Sequence, residues 1–240
     1  MSLKTIILRL LFLFVLPLCC FGQLEFVKHK NQYLSLSKRP PSIGRDTSMI
    51  LQLDSLMLCI NYTDRKFVEK FDEKYILNLL KKHIQGSNWA KGKAIYNLWF
   101  AVHGLHFSGQ NIKAFKYFTL AESQFEQLKD YNRQALTLIR MGLHISYRFT
   151  GIHGEFKHDE LKYIEKAILV AKKAKNTRFL FNALNAKIAY YYSKNDFINA
   201  LKISKEYDNL NDPKKINNLG NKLNIGFIYL RLDSIDKALF

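Results

Sequence analysis

The chain has 240 residues and a mass of 28.1 kDa, with 48% hydrophobic and 14% aromatic residues, which is enough apolar surface to bury a real core and excludes disordered and fibrous chains. Its 37 Lys and Arg against 20 Asp and Glu give a net charge of +17, but the basic residues are scattered and the densest stretch, Lys157 to Arg178, reads as a solvated helix face, so nucleic acid is not the expected partner. The four prolines stand at 17, 40, 41 and 213, and a proline-free run from 42 to 212 points away from many-stranded β folds and toward helices.

Residues 1–22 carry Lys4 and Arg9 but no acid, and Leu10 to Leu18 is an unbroken apolar run followed by Cys19, Cys20, Phe21 and Gly22. This is the pattern of a secretory signal peptide. Its uncharged core is shorter than the ~18–20 residues of a membrane-spanning helix, and the small Cys20 and Gly22 place cleavage after Gly22. A lipoprotein reading, with acylation of Cys19 or Cys20, is opposed by bulky Leu18 before the first and Pro17 ahead of the second. The expected location is therefore the periplasm or cell envelope, with no stable membrane span in the mature chain. Loss of Lys4 and Arg9 takes the charge from +17 to +15, and only Cys59 remains, so the exported domain has no internal disulfide and its core has to suffice alone.

Residues 23–45, with Lys38, Arg39, Pro40, Pro41, Ser42 and Gly44 and no sustained period, read as an exposed leader. From Asp46 the pattern becomes helical. A helix over about 46–61 offers Met49, Leu53, Leu56, Met57 and Ile60; the next carries Phe67, Phe71, Tyr75, Leu79 and His83 in steps of four, flanked by Val68, Ile76, Leu80 and Ile84. Together they predict a degenerate first hairpin over 46–85. Further breaks fall near Gly86-Ser87, Ser108-Gly109, Asp130, Gly151 to Gly154, Asn195-Asp196, Asn211 to Pro213 and Asp233-Ser234, which predicts repeated helix-turn-helix units over 86–240.

Three of these breaks superpose without gaps: Leu105 to Ala114, Tyr191 to Ala200 and Tyr229 to Ala238. In each, a large apolar residue lies nine positions before an Ala on the following helix, and the turn uses Gly109, Asn195 or Asp233, residue types suited to leaving right-handed helical angles. The Ala is small because two helices cross closest there. On these residues the chain resembles the tetratricopeptide repeat (TPR) family, whose unit of about 34 residues is a pair of helices with small residues at the crossing and aromatics around it. Gly226, Tyr229 and Ala238 match the last unit, and Gly109, Ala114, Phe118 and Ala121 the first clear one; Phe197 and Ala200 match a third, with Tyr207 at its second small site. Residues 132–175 fit with a turn lengthened by about six residues, Met141-Gly142 and Ile145 on one helix and Ala167 and Ala171 on the next.

The resemblance implies an all-α fold, an α-solenoid of antiparallel helix hairpins in a TPR-like superhelix, and a non-enzymatic protein- or peptide-binding role. The family's concave positions map onto Tyr96, Trp99, His103, His106, Ile139, Leu143, Asn182, Asn185, Tyr192, Leu223 and Phe227. The expected occupant is an apolar or aromatic segment whose backbone Asn182 and Asn185 would hydrogen-bond, with Trp99 as an anchor; the opposing reading makes Trp99 and Tyr96 cover for the first hairpin. An alternative function is the sensory part of a membrane-anchored signalling protein, a histidine kinase or helix-turn-helix regulator, and a third is a helical hydrolase or metal-binding domain. His103 and His106, at i and i+3, lack a third ligand nearby, and no GxSxG, GxxxxGK or HExxH motif is present, so neither a cofactor nor a metal is expected. Cys59 between Leu58 and Ile60 reads as a small core residue. The chain stops one turn into the second helix of its last pair, and the reading expects a frayed end there and a natural product that continues past Phe240.

Overall fold

The computed structural model describes residues 23–60, 68, 71–106, 110–148, 160–210, 225–229, 231 and 232. The expected signal peptide, the Ser108-Gly109 turn, Gly151 to Gly154, Asn211 to Pro213, Leu223 and the end at 233–240 lie outside the described residues. Helices follow one another as α1 (23–37), α2 (Ile43–Cys59), α3 (Glu73–Ser87), α4 (Ala90–Trp99) running into a π-helical segment (Phe100–His106), α5 (Asn111–Gln127), α6 (Tyr131–Arg148), α7 (Glu160–Lys173), α8 (Thr177–Ser193) and α9 (Phe197–Asn209). Residues 225–229 are helical, and no strand occurs among the described residues. The fold is all-α and solenoid-like: in the first unit α2 packs on α3 and α3 on α4, and in the second α6 packs on α7, α7 on α8 and α8 on α9. Two compact units divide it, Met1–Gln124 and Phe125–Phe240.

In the first unit, α2 starts where Ser42 Oγ accepts from the Arg45 amide at 3.1 Å, and α3 where Asp72 Oδ1 accepts from the Tyr75 amide at 2.7 Å. Met49, Ile50, Leu53, Leu56 and Met57 recur at helical spacing and are buried, as are Ile76, Leu77 and Leu80 of α3, which packs against α2. Ile95, Leu98 and Trp99 of α4 complete this core.

The segment expected as an exposed leader is instead helical over 23–37, and it buries Phe26 (0% exposed) and Tyr33 (6%). Phe26, His29, Lys30, Tyr33 and Leu36 form one stripe at i, i+3, i+4, i+7 and i+10. The period escapes a hydrophobicity reading because two of its five places hold His and Lys, whose stems pack while their heads stay polar. Helix α4, which carries Tyr96 and Trp99, starts at Ala90 and widens to π geometry at Phe100. There the Phe100 ring lies over Gly104, where a Cβ would stand only 2.5 Å from it.

The second unit is built on a turn used three times. Lys129 (φ 54°), Lys175 (φ 52°) and Asn195 (φ 57°) each take the left-handed conformation and are followed by Asp130, Asn176 and Asp196. The amides of those three residues return to the carbonyls of Phe125, Ala171 and Tyr191, at 2.9, 3.2 and 2.9 Å, closing the finished helix. Their Oδ1 atoms accept from the amides of Arg133, Phe179 and Asn199, opening the next. One three-residue connection thus satisfies both helix ends and sends the chain back along itself. In contrast, the break expected at Gly86-Ser87 falls one residue later: both residues end α3, and Asn88 (φ 47°) makes the turn.

Small residues stand where helices approach. Ala114, Ala121, Ala167, Ala171, Ala183 and Ala200 are fully buried. Gly142 of α6 faces Ile164 of α7 so closely that a Cβ would lie 2.7 Å from its Cγ1.

Candidate binding surface and a buried polar cluster

Of the residues expected to face a partner, Tyr96, Trp99, His103 and His106 belong to the first unit and the others to the second. Trp99 is not a surface anchor. It is 0% exposed, its ring lies 5.9 Å from that of His103, and its indole Nε1 donates to Asp54 Oδ1 at 2.7 Å, with Asp54 itself buried. An indole in that place covers the first hairpin, because satisfying its N–H inside the unit draws the whole ring in. Ile139 is likewise core, 5% exposed, since it shares the inward stripe of α6 with Ala135, Leu136 and Leu138.

Tyr96 is half-buried and stacks on Phe100, centroids 5.4 Å apart, while Phe100 meets Tyr117 edge-on at 5.1 Å. Burial, then the neighbouring Tyr117, pushes the Tyr96 phenol up. His103 is half-buried, and His106 ends the π segment. Leu143 is half-buried on α6.

The clearest open face belongs to α8. Asn182 and Ala189 are exposed and Asn185 and Tyr192 partly so, at i, i+7, i+3 and i+10 of one helix. Asn185 Oδ1 is enclosed and has no hydrogen-bond partner among the described residues. The Tyr192 ring meets Phe197 edge-on at 5.4 Å, and its hydroxyl accepts from Arg231 Nε at 3.2 Å. Phe227 is 49% exposed.

A polar cluster that the sequence reading did not assemble lies inside the first unit. His83 of α3 is buried; its Nδ1 stands 3.2 Å from Asp46 Oδ1 of α2 and its Nε2 3.1 Å from the Tyr33 hydroxyl of α1. Arg45 places Nε and a terminal nitrogen on the same Asp46 oxygen at 3.2 and 2.9 Å. Because a carboxylate accepts, the proton sits on Nδ1 and Tyr33 donates to Nε2. Burial raises the Asp46 carboxyl, but its bonds to Arg45 and His83 outweigh that and hold it below its ordinary value. Burial lowers His83, against the Asp46 bond that raises it. Tyr33 is pushed up to about 12, chiefly by burial. The signal was present in His83, polar on an otherwise apolar stripe, but its partners lie 37 and 50 positions away.

Among the described residues no three His, Cys, Asp or Glu gather as a metal site, and no helix is long and apolar enough to cross a membrane. Cys59 is a reduced, half-buried cysteine.

No family model matches the chain, and no curated protein matches it. Among solved structures it is similar to BtubC (BKLC) from P. vanneervenii, with a TM-score of 0.61 and 12% identity over 94% of this chain and 87% of that one. At that identity the likeness concerns the fold alone.

Proposed function

We propose that the chain is a non-enzymatic scaffold of TPR type, exported to the cell envelope, that binds a protein or peptide segment. The observation that carries this reading is the turn used three times in the second unit, with left-handed residue and capping Asp or Asn, set between helices that meet at buried Ala. A repeated hairpin gives an open row of helix faces and no enclosed site, which suits an extended partner better than a small substrate. With Trp99 and Ile139 in the core, the face left for a partner in the second unit is that of α8. There Asn182 is open to solvent, Asn185 has an acceptor without a donor, and Tyr192 is partly exposed. An unpaired enclosed acceptor is a place where a partner's backbone N–H recovers a hydrogen bond otherwise forgone.

A photo-crosslinking residue at Asn182, in protein expressed with its leader in a bacterial host, should trap a discrete partner from the envelope fraction. The triple variant Asn182→Ser, Asn185→Ala, Tyr192→Ala should lose that adduct while keeping its helical circular dichroism and melting temperature. An adduct unaffected by the triple variant would remove α8 as the binding face. The secreted protein should also have lost residues 1–22 by intact mass; full-length protein confined to the cytoplasm would refute the envelope assignment.

A further inference from the structure

We propose that Tyr33, His83 and Asp46 form a proton-operated latch that holds the C-terminal half of α1 against the first hairpin and releases it when His83 takes up a proton. The idea is independent of any partner, since all its parts lie in the first unit.

With a neutral imidazole every donor and acceptor of the set is used. Neutral His83 gives its Nδ1 proton to Asp46 and receives the Tyr33 hydroxyl proton at Nε2, so both ring nitrogens are used inside the unit. A second proton on the ring sits at Nε2, and the Tyr33 oxygen can accept it only by giving up its own role as donor there. The Tyr33 hydroxyl has then to turn its own hydrogen away from Nε2, among rings of Phe71 and His83 that stand edge-on to the Tyr33 ring at 5.8 and 5.9 Å. Losing a buried hydrogen bond in this way costs the desolvation of the group left over.

The surrounding charges do not rescue the imidazolium. From α2, Asp46 favours it, but that carboxylate already accepts both Arg45 bonds, and the Arg45 charge opposes a second cation. Lys82 on the helix of His83 opposes it too. From α1, Lys30 lies over the Phe71 ring at 5.6 Å and adds positive charge. Burial first, and then Tyr75, keeps the Tyr33 phenol protonated. His29, the other histidine of α1, is tied differently. Its Nδ1 reaches Gln52 Oε1 at 2.8 Å and its Nε2 faces Glu25 at 3.4 Å, two acceptors that a ring with both nitrogens protonated satisfies together. Acid therefore loosens α1 at Tyr33 and leaves it tied at His29.

The sign follows from burial. His83 is held below its ordinary value in the docked state and regains that value when α1 lifts and water enters. Docking is thus complete above about pH 6.5 and weakens as the pH falls toward the docked value.

The test is hydrogen exchange on the full chain. After correction for intrinsic rates, amides of residues 30–37 should open more between about pH 7.5 and about pH 5, by at most ~30-fold, the limit set by one proton and an ordinary His. His83→Gln, which cannot titrate, should make those amides insensitive to pH over this window, and His29→Gln should not. Wild-type amides that change less than twofold would overturn the latch, and so would a full pH response in His83→Gln. Should His83→Gln fail to fold, the NMR titration of the His83 ring in wild-type protein decides: its midpoint must coincide with the opening of residues 30–37, and a midpoint apart from it would refute the proposal.

Discussion

At the scale of single residues, the environment of Trp99 reverses what its type suggests. A tryptophan at a concave position is the natural anchor for a partner, and helical spacing alone cannot distinguish that face from the one turned to the preceding hairpin. What decides it is Asp54, 45 positions earlier, whose carboxyl accepts the indole proton at 2.7 Å. Trp99→Ala should therefore act on stability, lowering it by about 3–5 kcal/mol in urea unfolding as a large cavity opens. Trp99→Phe keeps most of the volume and leaves Asp54 without the indole donor, at a cost of about 1–3 kcal/mol. Both variants should retain the α8 crosslink wherever they fold. Asp46 argues similarly: its position at the start of α2 is legible as a helix-starting acid, but its bond to His83 is a contact between helices that no local pattern encodes. Because its carboxyl is held below its ordinary value, the stability it contributes is complete above about pH 4 and is lost as pH falls further. Asp46→Asn should flatten the acid limb of a thermal melt below that pH; an unchanged limb would remove Asp46 as its source.

At the scale of elements, the helices and most of their breaks follow from apolar spacing and from Asp130, Asn195 and Asp196, residues whose turn and capping tendencies are intrinsic. Lys129 and Lys175 carry no such tendency, yet both occupy the left-handed region. They are forced there by what flanks them: the capping Asp130 or Asn176 behind and a finished helix ahead. A non-glycine residue held so costs about 1–2 kcal/mol, part of which glycine would return at the expense of chain entropy. Lys129→Gly and Lys175→Gly should each stabilise the protein by about 0.5–1 kcal/mol, and a loss on chemical denaturation would contradict the turn geometry. Gly142 presents the opposite case. In a helix interior Ala is favoured over Gly by about 1 kcal/mol. Here, however, the added Cβ would meet Ile164 Cγ1 at 2.7 Å, with the Glu160 carbonyl oxygen at 3.5 Å behind it, and Ile164 is itself buried and has nowhere to swing. Gly142→Ala should thus destabilise by about 1–3 kcal/mol, the usual range for an overfilled core. Partial restoration by the second-site change Ile164→Ala, which removes Cγ1, would show that the clash is the cause.

At the scale of the whole molecule, charge and topology pull on stability in separate ways. The all-α class was legible because a 3.6-residue apolar period runs through nearly the whole proline-free stretch, and because buried Ala marks where helices cross. Helix α1 was not, since His29 and Lys30 interrupt its stripe. Charge is legible in full from the sequence but says nothing of the fold. With 37 basic and 20 acidic side chains, even complete pairing leaves 17 cations facing one another. Among the described residues Lys28 with Glu25 and Lys166 with Glu126 are short-range, largely exposed ion pairs. Such pairs contribute about 0–1 kcal/mol each. Added salt weakens these attractions and the repulsions together, but the repulsions are more numerous and act over longer distances, where screening is strongest. The melting temperature should therefore rise, by a few degrees, between about 10 mM and about 300 mM NaCl, as the Debye length falls from ~30 Å to below 8 Å. A melting temperature that fell over the same range would mean that paired charges, and not the surplus, dominate the electrostatics of the folded chain.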